Sequence, residues 1–247
     1  MIPFSDSPRL NHGLPILTIT VICLVSLVFL IQIGVSRFGI VFGSDTTQSI
    51  GFLYRWGFIP RELATGVAYL NLNTPTGSIN IESYVPTWLT MVTSMFLHGG
   101  ATHFLGNMLF LWVFGDNVEH RLGIFRYLAL YFITGVAAAI THYLMDPTSG
   151  TVLVGASGAI SGVMGAYVLL FPHNKVRVLF MMVLITIAEI RAIYVLGLWF
   201  LWQAVQALLQ LGVSTNIQVA FMAHVGGFLA GMLFVGIFTN VLLQRRK

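Results

Sequence analysis

Charged side chains are scarce in this sequence of 247 residues, where 12 Lys and Arg and 8 Asp and Glu together make up 8%. A soluble domain carries about 25% charged residues, so the composition excludes an ordinary water-soluble protein. Cysteine is nearly absent, and the single Cys23 lies in an apolar run, which excludes a disulfide framework and a thiolate metal site. The net charge of +4 says little about nucleic acid, because basic residues in such a chain mainly set membrane topology. We expect no nucleic-acid partner, no metal and no cofactor.

Apolar residues are correspondingly abundant: they make up 57% of the chain, which has a mean hydropathy of +0.87. The first apolar run is longer than a signal-peptide core and long enough to span hydrocarbon. Five further runs follow it. The six predicted spans are residues 14–35, 102–120, 124–145, 152–171, 193–212 and 220–243. We therefore expect an all-α polytopic membrane protein, forming one domain over residues 1–247 with a core at about 87–243.

Three other segments do not fit the pattern of full spans. The apolar stretches 87–97 and 178–188 have only about a dozen residues each, a length that favours interfacial or re-entrant segments. The long segment from Ser36 to Pro86 is too apolar for a flexible linker. We expect it to lie on or in the outer leaflet.

The distribution of Lys and Arg predicts the orientation. With six spans both termini share one side, and nine of the 12 basic residues then lie on that side, the exceptions being Arg37, Arg55 and Arg61 in the long first loop. Cytoplasmic flanks accumulate basic residues, so we expect both termini in the cytoplasm.

Four polar residues share one predicted depth. Spans two, four and six run from outside to inside, and each carries its unusual polar residues a few positions after its outer end: His103 and Asn107, then Ser157, then His224. Five helical residues correspond to roughly 7 Å, so these side chains should converge in the outer leaflet, below the surface.

Glycine spacing predicts how two of these helices approach. The stripes are Gly158, Gly162 and Gly165 in span four and Gly227 and Gly231 in span six. Small residues at this spacing allow helix backbones to touch in lipid. Such packing could hold Ser157 within hydrogen-bond reach of His224, which is the nucleophile–base pairing of serine catalysis.

Each feature also has a structural interpretation. Glycine stripes are common packing motifs, an intramembrane serine can bond back to its own helix, and a histidine in a span can be a proton relay or a transport ligand. A membrane protein that binds a client, or a small-ion or metabolite transporter, could line a cavity in the same way. The transporter would want a charged residue deep in a span, and none is placed there convincingly.

Several spaced motifs resemble the rhomboid intramembrane serine proteases. They are "GASG" in span four, "HFLGN" in span two, "AHVGGFLAG" in span six, "TSMFLHGG" before span two, the ExRxG pattern in "EHRLG" after it, and "GLWFLWQ" in span five. The resemblance covers roughly Trp88 to Gly231, in order. It implies a six-transmembrane-helix rhomboid bundle with a large membrane-associated first loop.

The resemblance also implies a chemistry. Ser157 would be the nucleophile and His224 the general base and then acid, with no third carboxylate, in a water-filled cavity that opens to the outer face. His103, Asn107 and the backbone N–H of Ser157 would stabilise the oxyanion. The substrates would be transmembrane proteins in the lipid bilayer, and the setting a bacterial plasma membrane. The alternative is a catalytically weak or non-enzymatic rhomboid-like protein that binds membrane clients.

Other positions are expected to support this site. By resemblance the structural residues are Gly155, Gly158, Gly227, Gly231, Glu119, Arg121 and His98. We expect Glu119 and Arg121 to form a charge pair that satisfies exposed carbonyls, and His98 to be a hydrogen-bonding brace. One departure is Ser161, which occupies the position where well-studied bacterial members place an aromatic ring on the histidine. Phe221 or Tyr143 could supply that ring instead.

Access to the site is predicted from the same resemblance. Span five, carrying Trp199, Phe200, Trp202 and Gln203, is the candidate lateral gate. The uncharged segment "VSTNIQV" between spans five and six could cap the site.

Overall fold

The computed structural model describes residues 2–8, 13–43, 47–74, 77–181, 185–210 and 220–244, and most of them are helical. The helices are α1 (Ile16–Val35), α2 (Gly39–Phe42), α3 (Thr47–Trp56), α4 (Pro60–Thr65), α5 (Thr87–Thr93), α6 (Ala101–Leu122), α7 (Ile124–Met145), α8 (Ser157–Leu170), α9 (Ala192–Gln210) and α10 (Phe221–Gln244). The strands are β1 (Ile2–Ser7), β2 (Asn71–Thr74), β3 (Gly77–Asn80), β4 (Lys175–Met181) and β5 (Ile185–Arg191).

Each of the six predicted spans coincides with a helix, and all of these helices except α8 have 19 residues or more. Within the described residues, α1, α7, α9 and α10 are long and apolar enough to cross a membrane. Helix α6 is equally long but carries Asp116, Glu119 and Arg121 near its carboxyl end, and α8 has only 14 residues. The fold is thus a helical membrane bundle in which two helices are less apolar or shorter than the other four.

Helix α8 lies at the centre of the bundle, between α6, α7 and α10. Nine of its residues, from Ala159 to Tyr167, are buried without interruption. A helix that is apolar all round is expected to be enclosed by protein rather than by lipid or water. Its short length therefore reflects its position inside the bundle.

The start of α8 differs from the prediction, since the helix begins at Ser157 and not near residue 152. The preceding chain is extended, and Leu153 exchanges two backbone hydrogen bonds with Phe58 in the first loop. Gly155 then takes a φ of +126°, which a residue with a side chain rarely adopts, and donates its N–H to the carbonyl of Ser94. Ser157 is consequently the first residue of the helix rather than one turn inside it.

For residues 178–188, predicted to be interfacial or re-entrant, the re-entrant alternative is wrong, because residues 178–181 and 185–188 lie in two antiparallel strands. Strands β4 and β5 pair over seven residues, and β1 pairs with β4 on the other side. The alternation of exposed Lys175 and Arg177 with buried Val176 and Val178 is typical of a half-buried strand. This period-two pattern was not evident in the sequence, because nearly all residues of the run 178–188 are apolar.

A buried polar cluster ties this sheet to the helices. Asp6 of β1 accepts hydrogen bonds from the Asn117 amide of α6 and from the Tyr167 hydroxyl of α8, the latter at 2.6 Å. Asn174 donates to the Tyr167 oxygen at 3.1 Å. The first strand is thereby fixed to the ends of two helices that carry candidate site residues at their opposite ends.

Residues 36–86 form the short helices α2 to α4 and the β2–β3 hairpin rather than a flexible loop. Several of their large apolar side chains are exposed, including Phe42, Val67 and Tyr84. The Arg55 guanidinium lies 4.8 Å above the ring of Tyr84. Exposed apolar and aromatic groups of this kind are typical of a membrane–water interface, so the interfacial position of this segment stays a prediction.

Glu119 has a different role from the one expected. Its carboxylate accepts the backbone N–H groups of Leu17 and Thr18, at 2.8 and 2.7 Å, and the Thr18 hydroxyl at 2.7 Å. It therefore caps the amino end of α1, where the first N–H groups have no acceptor in their own helix. Within the described residues no ion pair joins Glu119 to the exposed Arg121, so the predicted charge pair that satisfies carbonyls is wrong.

This capping role predicts that Glu119→Ala lowers the free energy of unfolding by about 3 kcal/mol, because the half-buried N–H of Leu17 and the buried N–H and hydroxyl of Thr18 lose their acceptor. Arg121→Ala is the matched control and should leave stability within about 0.5 kcal/mol of the parent, as expected for an exposed residue. Thermal unfolding in detergent measures both. Equal destabilisation by the two substitutions would favour the charge pair over the cap.

Candidate active site

Ser157 and His224 meet across the interface of α8 and α10. The Ser157 Oγ and His224 Nε2 atoms are 2.8 Å apart, a hydrogen-bond distance. Ser157 is the first residue of α8 and His224 the fourth of α10, so both lie at the same end of the bundle. Both side chains are half-buried, which leaves them open to a molecule that enters the site.

Glycines bring these two helices into contact. A Cβ atom added to Gly227 would overlap the carbonyl oxygen of Gly158, and one added to Gly231 would overlap that of Gly162. On the opposite face of α8, a Cβ at Gly158 would lie 2.6 Å from the Cβ of Ala138 in α7. Side chains at these positions would push α8 away from its neighbours, so the spacing of Ser157 and His224 depends on the glycines.

Helix α9 supplies the second contact of the imidazole. The His224 Nδ1 atom lies 2.7 Å from the Oε1 atom of Gln203, whose side chain is buried. Trp199, one turn earlier on α9, places its ring centroid 6.0 Å from that of His224. Phe221 approaches the same imidazole edge-on, at 6.5 Å. The imidazole is thus held at both nitrogens and flanked by two rings.

Ser161 does not reach the imidazole. Its hydroxyl donates to the carbonyl oxygen of Ser157 at 2.6 Å, one turn back along α8, and its side chain is fully buried. The aromatic contact expected at this position comes from Trp199 and Phe221 instead. Of the two rings suggested by the sequence, Phe221 makes such a contact, and no ring contact joins Tyr143 to His224 among the described residues.

Asn107 and His98 form a buried pair at the start of α6. The Asn107 Nδ2 atom lies 2.8 Å from the His98 Nε2 atom, and because the amide nitrogen can only donate, His98 accepts at Nε2. The backbone of His98 is held in turn by Gln32 of α1, which donates to its carbonyl at 2.9 Å and accepts its N–H at 3.1 Å. Asn107 keeps a second amide hydrogen that is not used in this pair.

His103 lies beside the turn that precedes Ser157. A Cβ added to Gly155 would come within 2.8 Å of the His103 ring, so only glycine leaves room for the imidazole there. The His103 and His98 rings are 5.1 Å apart in an edge-on arrangement. His103 is therefore wedged between the loop before α6 and the loop before α8.

Two cavities meet at Ser157. One, of about 290 Å³, is lined by all four predicted polar residues together with apolar side chains of α6, α8 and α9. The other, of about 260 Å³, also borders Ser157, His103 and His224, and extends along residues 151–154 toward His142 of α7. Ser157 is therefore bordered by both cavities.

The start of α8 adds donors to this site. The first intrahelical bond runs from the Ile160 N–H to the Ala156 carbonyl, so the N–H groups of residues 157–159 have no acceptor in the helix. Such a helix end favours negative charge. A developing oxyanion next to Ser157 could thus be met by backbone N–H groups, by the Asn107 amide and by His103.

Sequence analysis missed two residues that contribute to this site and gave a third residue a different role. Gln32 and His142 were not singled out, and Gln203 was named only as part of a gate. A polar side chain within an apolar span is the signal that could have marked each of them. The predicted cap, residues 213–219, lies outside the described residues.

Comparison with known proteins agrees with the fold. The Rhomboid domain profile matches residues 86–241. RHOMBOID-like protein 5 of Arabidopsis thaliana is 32% identical over 161 residues, which is 63% of this chain and 44% of that protein. Putative rhomboid protease YdcA of Bacillus subtilis is 39% identical over 80 residues (32% of this chain, 40% of that protein), and rhomboid protease AarA of Providencia stuartii is 38% identical over 95 residues (33% and 34%).

The chain spans about half the length of the curated relatives it matches. The profile nevertheless covers more than half of this chain, including every helix from α6 to α9 and most of α10. The chain is an integral membrane protein that belongs to the rhomboid family.

Proposed function

We propose that this protein is an intramembrane serine endopeptidase, which hydrolyses peptide bonds in or near the transmembrane helices of other membrane proteins. The observation that carries the proposal is the 2.8 Å contact between Ser157 Oγ and His224 Nε2 at the junction of two cavities. A nucleophile within hydrogen-bond reach of a base, with the base oriented by a third group, is the arrangement that serine catalysis needs.

The reaction proceeds in two steps. As Ser157 Oγ attacks the peptide carbonyl, His224 Nε2 takes the hydroxyl proton and then gives it to the leaving amine. The carbonyl oxygen becomes an oxyanion, stabilised by Asn107, His103 and the free N–H groups at the start of α8. Water then enters, gives a proton to His224, and releases the acyl group from Ser157 by the same route.

The membrane setting follows from the same proposal. Helix α1 and the helices α6 to α10 cross the bilayer. The polarity of α6 and the short length of α8 are tolerated because neighbouring helices enclose them. Both termini lie in the cytoplasm of a bacterial cell, and the site opens to the outer face of the plasma membrane. The substrate is a transmembrane protein that enters from the bilayer, since the cavities lie between helices.

A cleavage assay tests the proposal. The purified protein is reconstituted in liposomes with a reporter that contains one transmembrane helix, and the fragments are identified by mass spectrometry. We expect a single cut in or near the helix, and none in a water-soluble loop of the same reporter placed far from the bilayer. Fragments that arise only from the soluble loop, or no fragments at all, would contradict an intramembrane peptidase.

The oxyanion role predicts that Asn107→Ala lowers kcat roughly 10²- to 10³-fold with little change in KM, because the amide acts mainly on the charge that develops in the transition state. Leu105→Ala is the control on the same helix, since Leu105 is exposed and lines neither of the two cavities. Reporter kinetics measure both variants. A kcat for Asn107→Ala equal to that of the control would remove Asn107 from the oxyanion site.

A further inference from the structure

The side chain of Gln203 is turned inward, unlike its neighbours on α9. Leu201 and Trp202 are 57% and 59% exposed, whereas Gln203 is 7% exposed. Burying an amide without a hydrogen bond is costly, so such a residue needs a partner. That partner is the Nδ1 atom of His224, 2.7 Å from Gln203 Oε1.

This contact selects one tautomer of the imidazole. The amide oxygen can only accept, so Nδ1 must carry the hydrogen, and in a neutral ring Nε2 is then free to accept. Nε2 is the atom that faces Ser157. His224 therefore donates its Nδ1 hydrogen to Gln203 Oε1. Its Nε2 lone pair is left free to accept the hydroxyl proton of Ser157.

We propose that Gln203 is a positioning residue, which fixes the ring orientation and tautomer of His224 for proton transfer from Ser157. The proposal rests on the protease function proposed above. The expected pair of Ser157 and His224 becomes a set of three residues. The amide of Gln203 bonds to the histidine in the place where many serine proteases have a carboxylate. Within the described residues no carboxylate hydrogen-bonds to His224, so the amide is its only side-chain acceptor at Nδ1.

Trp199 and Gln203 act on the same ring from one face of α9, because residues four apart in a helix share a face. The indole limits tilting of the imidazole, and the amide limits its rotation. A group fixed at Nδ1 also remains bonded when His224 gains a second proton, since both nitrogens then donate. The amide, being neutral, stabilises that imidazolium less than a carboxylate would.

The test compares three α9 variants with the parent in the reporter assay. Gln203→Leu removes the acceptor, and we expect kcat to fall at least about tenfold with KM within about twofold of the parent. Gln203→Glu restores an acceptor and should recover activity relative to Gln203→Leu. Gln206→Leu, one turn further along α9, is the control and should retain the parent kcat.

The pH dependence of kcat separates positioning from packing. The carboxylate in Gln203→Glu favours the protonated imidazole, so the acid limb of its profile should move to higher pH than in the parent. The other titratable groups around His224, His103 on α6 and His142 on α7, are unchanged in all variants. A side chain at position 203 that packs against α10 without contacting Nδ1 would leave the limb where it is.

A measurement without substrate completes the design. In ¹⁵N-histidine-labelled protein at neutral pH, the parent should show His224 protonated at Nδ1, whereas Gln203→Leu should show a mixture of tautomers or the Nε2–H form. Parent kcat and an unchanged tautomer in Gln203→Leu would overturn the role of Gln203. A parent that holds the Nδ1–H tautomer but never cuts a reporter would instead count against the protease function and leave the contact in place.

Discussion

Replacing Gly227 with Val should reduce reporter cleavage at least about 100-fold, although Ser157 and His224 both remain in the chain. The added side chain has no space, because even a Cβ at this position overlaps the carbonyl oxygen of Gly158. Backbone atoms cannot rotate away as a flexible side chain can, so α8 and α10 must separate. Displacing a catalytic group by about 1 Å can cost a factor of 10² in rate. Kinetics on the reconstituted reporter measure the loss.

Gly236→Val on the same helix is the matched control. A Cβ at Gly236 meets no atom within 4 Å among the described residues, so this variant should keep most of the parent rate. Thermal unfolding of both variants shows whether Gly227→Val remains folded, and Gly227→Ala offers a smaller displacement if it does not. Parent-level cleavage by Gly227→Val would mean that the glycine contact does not set the Ser157–His224 distance.

Ser157→Ala should abolish cleavage, with kcat at least about 10⁴-fold below the parent, as for loss of the nucleophile in other serine proteases. The fold should be unaffected, because the hydroxyl bonds, within the described residues, only to the His224 side chain at 2.8 Å, and a methyl group is no larger. His224→Ala should be similarly inactive. The reporter assay and thermal unfolding are run on the same preparations.

Ser161→Ala is the control for this pair. Its hydroxyl bonds to the carbonyl oxygen of Ser157 and not to the imidazole, so its loss should change stability slightly and leave cleavage within about tenfold of the parent. A non-enzymatic protein that binds membrane clients would behave differently, since Ser157→Ala would leave its function intact. Cleavage by Ser157→Ala at the parent rate would therefore contradict the proposed nucleophile.

The positions of the long helices were predictable because they depend on local hydropathy. The predicted limits 124–145 match α7, and the first and last runs begin within two residues of α1 and α10. The start of α8 was not predictable in this way. It depends on a backbone bridge between Leu153 and Phe58, which are distant in sequence, and on the left-handed turn at Gly155.

Within the site, the sequence allowed the polar residues to be identified, but not the hydrogen-bond partners of their side chains. Ser157, His224, His103 and Asn107 border one cavity, as their shared depth suggested. The partner of the imidazole was not evident, because Gln203 lies in a span whose rotation about its own axis sequence alone does not specify. Glu119 shows the same limit: its motif was recognised, but the N–H groups of α1 that donate to its carboxylate are about 100 residues away.

The central claim, that His224 activates Ser157, is tested most directly by covalent labelling with a fluorophosphonate, followed by peptide mapping. In the parent protein we predict one adduct, on Ser157, and no adduct on Ser161. In His224→Ala the adduct should disappear although the serine is still present. An adduct on a different residue, or an unlabelled Ser157 in a preparation that cleaves the reporter, would contradict the account.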